Sequence, residues 1–242
     1  MDKQQRIETG IAGLDKMLAG GFLPGSANLL RGAPGTGKTL FALQFLIHGA
    51  ARGEPGLLIS FEEFPQSLQL DAQALGWDLR ALQDQGGLHL YFTSPQALLT
   101  SLATPGSPLS ELFVQQDLRR VVVDSVTHFT RLTNDELALR RIYHQLINAF
   151  KREGATALLL AEESRLAAPR AALSFIVDSI IVLRYVEIES ALHRALAVIK
   201  LRGSDHAKEI RRYEIRAGGL VVTRTFAGRE NILSGISQRV RR

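Results

Sequence analysis

The sequence contains no cysteine, which excludes a disulfide framework and any metal site built on thiolates. Long hydrophobic runs are also missing. One of the longest, residues 155–161, falls far short of the roughly 20 apolar residues that a membrane-spanning helix needs. Residues 1–7 are charged and have no apolar stretch of the kind found in signal peptides. These absences argue against secretion and against a membrane protein, so we expect a cytoplasmic location.

The charge balance is basic, with a net charge of +5 and an isoelectric point of about 9.8. A basic protein can bind nucleic acid or another polyanion. Here, however, lysine and arginine are scattered along the chain, except at its very end, residues 238–242. Nucleic-acid binding is therefore permitted by the composition but not favoured by it.

Strand-like and helix-like runs alternate over the first two thirds of the chain. Apolar strand-like runs occupy residues 27–31, 56–61, 120–124 and 155–161, and helical patterns cover 38–52, 67–75 and 134–153. This alternation predicts an α/β fold with a mostly parallel central sheet and crossover helices. Residues 93–108, rich in Ser, Thr and Pro, are predicted to form a surface loop.

The last third changes character, because its strand-like runs have no helices between them. These runs are residues 179–186, 192–201, 211–216 and 220–224, with Gly218 and Gly219 as a tight-turn signal between the last two. We interpret them as antiparallel strands added to the same sheet. Residues 1–242 would then form a single domain, with residues 225–242 as a basic C-terminal tail.

One motif carries a clear chemical signal. Residues 32–39, GAPGTGKT, fit the phosphate-binding pattern G-x-x-x-x-G-K-[ST], between a strand and an amphipathic helix. Glycines let the backbone curl so that its N–H groups point at phosphate oxygens, and the helix N-terminus adds partial positive charge. Lys38 would bind the β- and γ-phosphates, and the Thr39 hydroxyl would ligate Mg²⁺. The residues expected to contact ATP are Gly32, Ala33, Pro34, Gly35, Thr36, Gly37, Lys38, Thr39 and Leu40.

Carboxylates follow three of the predicted strands. Asp124 ends a buried run and is predicted to hold Mg²⁺ beside the phosphate loop, with Ser125 either supporting it or capping a turn. Glu62 and Glu63 follow the strand at 56–61, where they could activate the attacking water or form only a solvated acidic turn. The pair at 162–163 leaves the same choice open, between sensing nucleotide and forming a solvated loop.

Several segments together resemble a known family. Residues 9–15 and 20–25, followed by the phosphate motif, resemble the entry pattern of RecA-type P-loop ATPases. The segments 59–66, 123–127, 178–187 and 200–204 are similar to KaiC-type ATPases in particular. The phosphate motif occurs once, so the resemblance is to a single-module, KaiC-like protein.

This resemblance implies a RecA-like core with sheet order 5-1-4-3-2, in which the strand before Glu62 lies beside the strand that ends at Asp124. It implies that Glu62 and Glu63 are the catalytic carboxylates. It also implies a homo-oligomer, usually a hexameric ring, with ATP between subunits. Lys200 and Arg202 would then reach the γ-phosphate held by the neighbouring subunit.

The resemblance also points to Ser174. In the clock-type members, adjacent Ser and Thr residues before the strand resembling residues 178–186 accept phosphate, whereas here the pair is Ser174 and Phe175. A weak autokinase activity with Ser174 as acceptor is one interpretation, and a plain surface or capping serine is the other. The ring of Phe175 suggests that this position has become part of a packed surface.

The sequence thus predicts a Mg²⁺-dependent ATPase in signalling or regulation, with an unidentified protein partner. Two alternatives stay open. A DNA-acting recombinase or helicase module would share the ATP site, although no aromatic and basic groove for single-stranded bases is visible. A nucleotide-gated scaffold with little turnover would also retain the phosphate loop.

Overall fold

The computed structural model describes residues 5–163, 170–226, 229–230, 232 and 238–239. The helices in these ranges are α1 (Leu14–Met17), α2 (Lys38–Ala50), α3 (Pro65–Gln73), α4 (Leu79–Asp84), α5 (Pro95–Ala103), α6 (Pro108–Gln115), α7 (Glu136–Arg152) and α8 (Arg170–Ile176), with a 3-10 helix at Val126–Arg131. The strands are β1 (Ala27–Gly32), β2 (Gly56–Ser60), β3 (Leu88–Phe92), β4 (Arg120–Asp124), β5 (Thr156–Glu162), β6 (Ser179–Ile188), β7 (Ala191–Leu201), β8 (Arg211–Arg216) and β9 (Gly219–Thr225), followed by the short pair β10 (Arg229–Glu230) and β11 (Gln238–Arg239).

Nine strands form one sheet in the order β3-β2-β4-β5-β1-β6-β7-β8-β9. The first six strands in this order are parallel to one another. Numbered from the phosphate-loop strand and leaving out β3, the order β6-β1-β5-β4-β2 is the 5-1-4-3-2 order that the resemblance implies. β2 lies beside β4, so the strand before Glu62 neighbours the strand that ends at Asp124. The predicted fold class is therefore confirmed, with β3 as an added edge strand.

The predicted antiparallel extension is also confirmed. β6 pairs with β7 along its whole length, β7 pairs with β8 over two residues, and β8 pairs with β9 through the turn at Gly218 and Gly219. β6 therefore joins the two parts of the sheet, since it is parallel to β1 on one side and antiparallel to β7 on the other.

Helices cover both faces of the parallel strands, which explains why those strands read as unbroken apolar runs. Alternate residues of one strand belong to different cores: Leu58 packs with α1, α2 and α3, whereas Leu57 and Ile59 pack with α5, α6 and α7. The sheet is thereby buried, and the carboxyl ends of its strands are left as the exposed edge at which ligands bind in such folds.

The loop predicted for residues 93–108 is wrong, because most of this stretch is helical. α5 begins at Pro95 after the cap Ser94, and α6 begins at Pro108 after the cap Ser107. Each serine side chain accepts a hydrogen bond from a first-turn N–H, while proline at the first helical position loses no hydrogen bond. The Ser and Pro residues that suggested a loop are thus helix-start signals.

Part of the predicted basic tail pairs as β10 and β11, and the rest of residues 227–242 lies outside the described residues apart from Ile232. None of the helices in the described part of the chain combines the length and apolar character required to cross a membrane.

Candidate functional site

The phosphate loop connects the end of β1 to the start of α2. Gly35 and Gly37 have φ values of 76° and 91°, which lie in the left-handed region that favours glycine. A side chain at Gly37 would also meet Ile215 of β8, whose Cδ1 lies 2.9 Å from the position of a Cβ. The sequence motif therefore reflects both backbone curvature and close packing against β8.

Two tyrosines hold the back of this loop. The Tyr185 hydroxyl donates to the carbonyl of Gly35, and the Tyr213 hydroxyl donates to the carbonyl of Thr36, each at 2.6 Å. Because the C=O of one residue and the N–H of the next belong to the same planar peptide unit, holding these carbonyls also fixes where the following N–H groups point. Sequence reasoning missed both tyrosines, which lie on strands of the antiparallel extension.

Lys38 folds back onto its own loop. Its Nζ donates to the carbonyls of Gly32 and Ala33, at 3.0 and 3.2 Å. Burial lowers the pKa of Lys38, and the nearby carboxylates of Glu162 and Asp124 oppose that shift. A phosphate oxygen would offer the ammonium a stronger, charged acceptor than these carbonyls.

Thr39 and Asp124 meet at the predicted metal site. The Thr39 hydroxyl donates to Oδ2 of Asp124 at 2.8 Å. Burial raises the pKa of Asp124, against the hydrogen bond from Thr39 and the charge of Lys38. Ser125 does not cap the following helix, and its buried hydroxyl has no hydrogen-bond partner among the described residues. Hydroxyl and carboxylate oxygens with an orphaned hydroxyl beside them suit Mg²⁺, which uses few protein ligands together with phosphates and water.

These groups surround one cavity of about 220 Å³, called the phosphate cavity below. Its lining includes Pro34, Gly35, Lys38, Thr39, Ser60, Glu62, Glu63, Asp124, Ser125, His128 and Glu162. The structure thus brings together the phosphate loop and all three predicted carboxylate positions at the carboxyl ends of β2, β4 and β5.

Glu62 and Glu63 have different surroundings within this cavity. Glu62 faces His128 and Arg131, with its Oε1 3.4 Å from His128 Nε2 and 3.5 Å from an Arg131 nitrogen. The backbone N–H of Glu63 donates to the Ser60 hydroxyl at 3.0 Å. Burial raises the pKa of Glu63, and the charges of Asp124, Asp71 and Glu62 raise it further. The surroundings of Glu63 therefore raise its affinity for a proton above that of an ordinary glutamate, as expected of a general base.

Glu162, the last residue of β5, and Glu163, which follows it, have different partners. Glu162 lines the phosphate cavity, and its N–H donates to the hydroxyl of Thr127 at 2.9 Å. Glu163 instead makes a two-point ion pair with the guanidinium of Arg184, at 2.5 and 3.0 Å. Only the first of the two can face a nucleotide phosphate.

A second cavity, of about 520 Å³, adjoins the loop on its other side. It is lined by Gly35, Gly37, Lys38, Thr39, Leu40, Glu63, Asp71, Arg194 and Ile215. Because Gly35, Lys38, Thr39 and Glu63 line both cavities, a molecule bound by the loop can extend from one into the other. Leu40 and Ile215 supply apolar surface and Arg194 a planar cation, which suit an aromatic base.

Lys200 and Arg202 lie at the opposite end of the sheet from the phosphate loop. Leu201 pairs with Ser179, the first residue of β6, whereas Gly32 pairs with Leu183 farther along that strand. Lys200 Nζ donates to the carbonyls of Ser174 and Val177, at 2.8 and 2.7 Å. The structure therefore does not bring these two cations to the phosphate cavity of their own chain. They lie instead beside the end of α8.

Arg202 contacts that same end of α8. It donates to the carbonyl of Phe175 at 2.9 Å and pairs with the carboxylate of Asp178. Ser174 is partly buried and Phe175 is 67% exposed, so the ring of Phe175 is not buried within its own chain, and its packing against another surface stays a prediction.

Comparison with known proteins agrees with this geometry. A family model described as "ATPase: KaiC" matches residues 7–226. The chain is 34% identical to the circadian clock oscillator protein KaiC of Picosynechococcus sp., over 97% of this chain and 46% of that protein. It is also 34% identical to the protein of the same name from Synechococcus elongatus, over 84% of this chain and 41% of that protein. The chain spans less than half the length of these relatives.

Proposed function

Because this chain belongs to the KaiC family of ATPases, we propose that it binds and hydrolyses Mg²⁺-ATP as a ring of identical copies, with a nucleotide between neighbouring copies. The observation that carries the ATPase proposal is the convergence of Lys38, Thr39, Asp124, Glu62 and Glu63 on one cavity. The relatives are named as clock oscillator proteins, so a regulatory output is the one we favour. A cytoplasmic location is part of the same proposal.

In this proposal the phosphate loop binds ATP through its backbone N–H groups, which Tyr185 and Tyr213 hold in place. Lys38 exchanges the carbonyls of Gly32 and Ala33 for the β- and γ-phosphates. Thr39 and Asp124 would hold Mg²⁺, which when bound neutralises phosphate charge. The base of the nucleotide would occupy the cavity beside Arg194 and Ile215.

For hydrolysis, the two glutamates have separate roles. Glu63 accepts a proton from the water as the water oxygen attacks the γ-phosphorus and the bond to the bridging oxygen breaks. Its burial among carboxylates supports this assignment, because it raises the proton affinity of Glu63. Glu62, oriented by His128 and Arg131, positions the same water.

The proposal of a ring rests on the position of Lys200 and Arg202. Their place at the far end of the sheet keeps Lys200 and Arg202 away from the phosphate cavity of their own chain. A neighbouring copy that approaches with this end would supply Arg202 to the transition state, as arginine fingers do in other phosphoryl-transfer enzymes. A hexamer is the size that the family resemblance implies.

A weak autokinase activity at Ser174 would use the same geometry, since Ser174 accepts a hydrogen bond from Lys200 through its carbonyl. Incubation with Mg²⁺-ATP and peptide mass mapping tests this proposal. Phosphate on Ser174 would support it. Consumption of ATP with Ser174 unmodified would mean that the protein hydrolyses ATP without autokinase activity.

Native mass measurement together with turnover tests the main proposal. The purified chain should form a ring with Mg²⁺-ATP and release phosphate, and Lys38→Ala should lose nucleotide binding. A monomer with full hydrolytic activity would refute the ring, and an absence of nucleotide binding would refute the ATPase.

A further inference from the structure

Phe175 is an exposed aromatic side chain at a position where the proposed function needs an interface. It lies near the end of α8 and is 67% exposed. Its own carbonyl is bound by the guanidinium of Arg202 at 2.9 Å, so the two residues are held together. Ile199, next to Lys200 in the chain, is a further exposed apolar residue. A surface that docks against Arg202 would therefore also come close to Phe175.

The other end of the sheet carries a pocket that can receive such a ring. It has a volume of about 490 Å³ and is called the aromatic pocket below. Its lining is Phe61, Phe92, Thr93, Ser94, Pro95, His128, Arg131 and Leu132. Phe92 is itself partly exposed and stacks on Phe64 with ring centroids 4.3 Å apart. The pocket thus offers aromatic and apolar surface with one cation, Arg131, at its wall.

The aromatic pocket adjoins the phosphate cavity, because His128 lines both. The two targets therefore share one side chain as a common wall, and on the opposite end Arg202 is in direct contact with the backbone of Phe175. One rigid segment can place a cation in the phosphate cavity and an aromatic ring in the pocket beside it.

The charges at the two ends of the sheet indicate that the segment which carries Arg202 and Phe175 comes from a second copy of the same chain. The phosphate cavity contains the carboxylates of Glu62, Glu63, Asp124 and Glu162, and a bound nucleotide would add further negative charge. The opposite end of the sheet presents Lys200, Arg202 and Lys151 near the end of α8, against the single carboxylate of Asp178 with which Arg202 and Lys151 pair. The two ends of one chain are therefore complementary, which generates head-to-tail contacts that can close into a ring.

We propose that Phe175 of each copy inserts its ring into the aromatic pocket of the next copy, beside Glu62, while Arg202 of the same copy faces the phosphate cavity. The inserted ring packs on Phe61 and Phe92 and approaches the cation of Arg131. It also excludes water from the side of Glu62 that His128 does not cover. This proposal rests on the ring of copies described above and assigns the residue that anchors its interface.

Cysteine cross-linking gives a direct test, because the natural chain contains no cysteine. Phe175→Cys combined with Thr93→Cys, at the wall of the pocket, should yield covalent dimers and longer ladders with Mg²⁺-ATP and a short thiol cross-linker, at a protein concentration high enough to keep rings assembled without the Phe175 ring. Each single variant can form no such ladder. A matched control pairs Phe175→Cys with Val114→Cys on α6, which is 76% exposed and lies outside the pocket.

A second experiment measures the protein concentration at which the rings dissociate. Phe175→Ala should raise the concentration at which rings dissociate by at least about tenfold, since a central aromatic anchor is lost. Phe175→Trp should retain assembly, and Leu192→Ala, at a 71% exposed position on β7, should change nothing. Rings that hydrolyse ATP but show no ladder, and no loss with Phe175→Ala, would overturn this assignment while leaving the proposed function intact. A wild-type chain that stays monomeric would overturn both.

Discussion

Removal of a single hydroxyl from Tyr213 should weaken the phosphate loop measurably. Tyr213 is only 2% exposed, and its hydroxyl donates to the carbonyl of Thr36, a fully buried residue. Burial raises the pKa of Tyr213, so this phenol remains a donor at neutral pH. Tyr213→Phe keeps the ring and leaves the Thr36 carbonyl without this partner, where little space exists for water.

The expected magnitude follows from that burial. Leaving a buried acceptor unsatisfied costs about 1–3 kcal/mol, so the free energy of unfolding should fall by that amount. For a protein of this size, each kcal/mol lowers the melting temperature by roughly 2–4 °C. Part of this energy holds the phosphate loop in the conformation that binds ATP. If ordering the loop of the variant uses about 1.4 kcal/mol of the binding free energy, the affinity for ATP falls by about tenfold.

Tyr185 provides a matched control. Its hydroxyl donates to the carbonyl of Gly35 over the same distance, 2.6 Å, but this bond lies at the exposed surface. Water can replace the phenol there, so Tyr185→Phe should change the free energy of unfolding by less than about 0.5 kcal/mol. Denaturant unfolding and nucleotide titration of both variants make the comparison. Equal losses in the two variants, or no loss with Tyr213→Phe, would refute the argument from burial.

Three further outcomes are expected at the phosphate cavity. Lys38→Ala and Thr39→Ala should each nearly abolish Mg²⁺-ATP binding in a titration, because charge and metal ligation are lost; wild-type affinity in both would disprove the loop assignment. Glu62→Gln with Glu63→Gln should keep ATP bound and slow its hydrolysis by about 10²–10⁴-fold, and undiminished phosphate release would show that another group is the base. Because burial and neighbouring carboxylates raise the pKa of Glu63, wild-type turnover should fall as pH decreases through that raised pKa; a pH profile whose acidic limb persists unchanged in Glu63→Gln would exclude this group.

The local parts of the site could be predicted from the sequence because adjacent residues encode them. The phosphate loop needs glycine at Gly35 and Gly37 for its backbone angles, and Lys38 and Thr39 follow at fixed offsets. The position of Asp124 was predictable because it ends an apolar strand, and such strand ends meet at one edge of a parallel sheet. The same pattern placed Glu62 and Glu63 at that edge but left their role open, and only the family resemblance implied that they are catalytic. The family resemblance supplied the order of the strands.

Contacts between distant parts of the chain could not be predicted in this way. The tyrosine hydroxyls reach the loop across 150 and 177 residues of sequence, and no local pattern distinguishes them from core tyrosines. His128 joins Glu62 only because a 3-10 helix after β4 turns back toward β2. The contacts of Lys200 and Arg202 with the carbonyls of Ser174 and Phe175 likewise join residues that are 26 and 27 positions apart in the sequence.

The helix α5 within residues 93–108, and α6 that begins at the end of this stretch, show a different limit. Serine and proline occur both in loops and at the first positions of helices, and composition alone does not separate these cases. Only a few buried residues hold these helices against the sheet. They are Leu98 and Leu99 of α5, and Leu109 and Phe113 of α6. Short amphipathic helices of this kind are stabilised by tertiary packing more than by their own sequence.

The central claim, an ATP site completed by a neighbouring copy, is tested most directly by mixing two inactive variants. Lys38→Ala lacks the phosphate cation but retains Arg202, and Arg202→Ala retains the phosphate loop but lacks the finger. In an equal mixture, roughly a quarter of the sites in a head-to-tail ring should combine an intact loop with an intact Arg202, and ATP hydrolysis should recover toward that fraction of wild-type turnover. Hydrolysis by the mixture that does not exceed the sum of the two variants measured separately would contradict the claim.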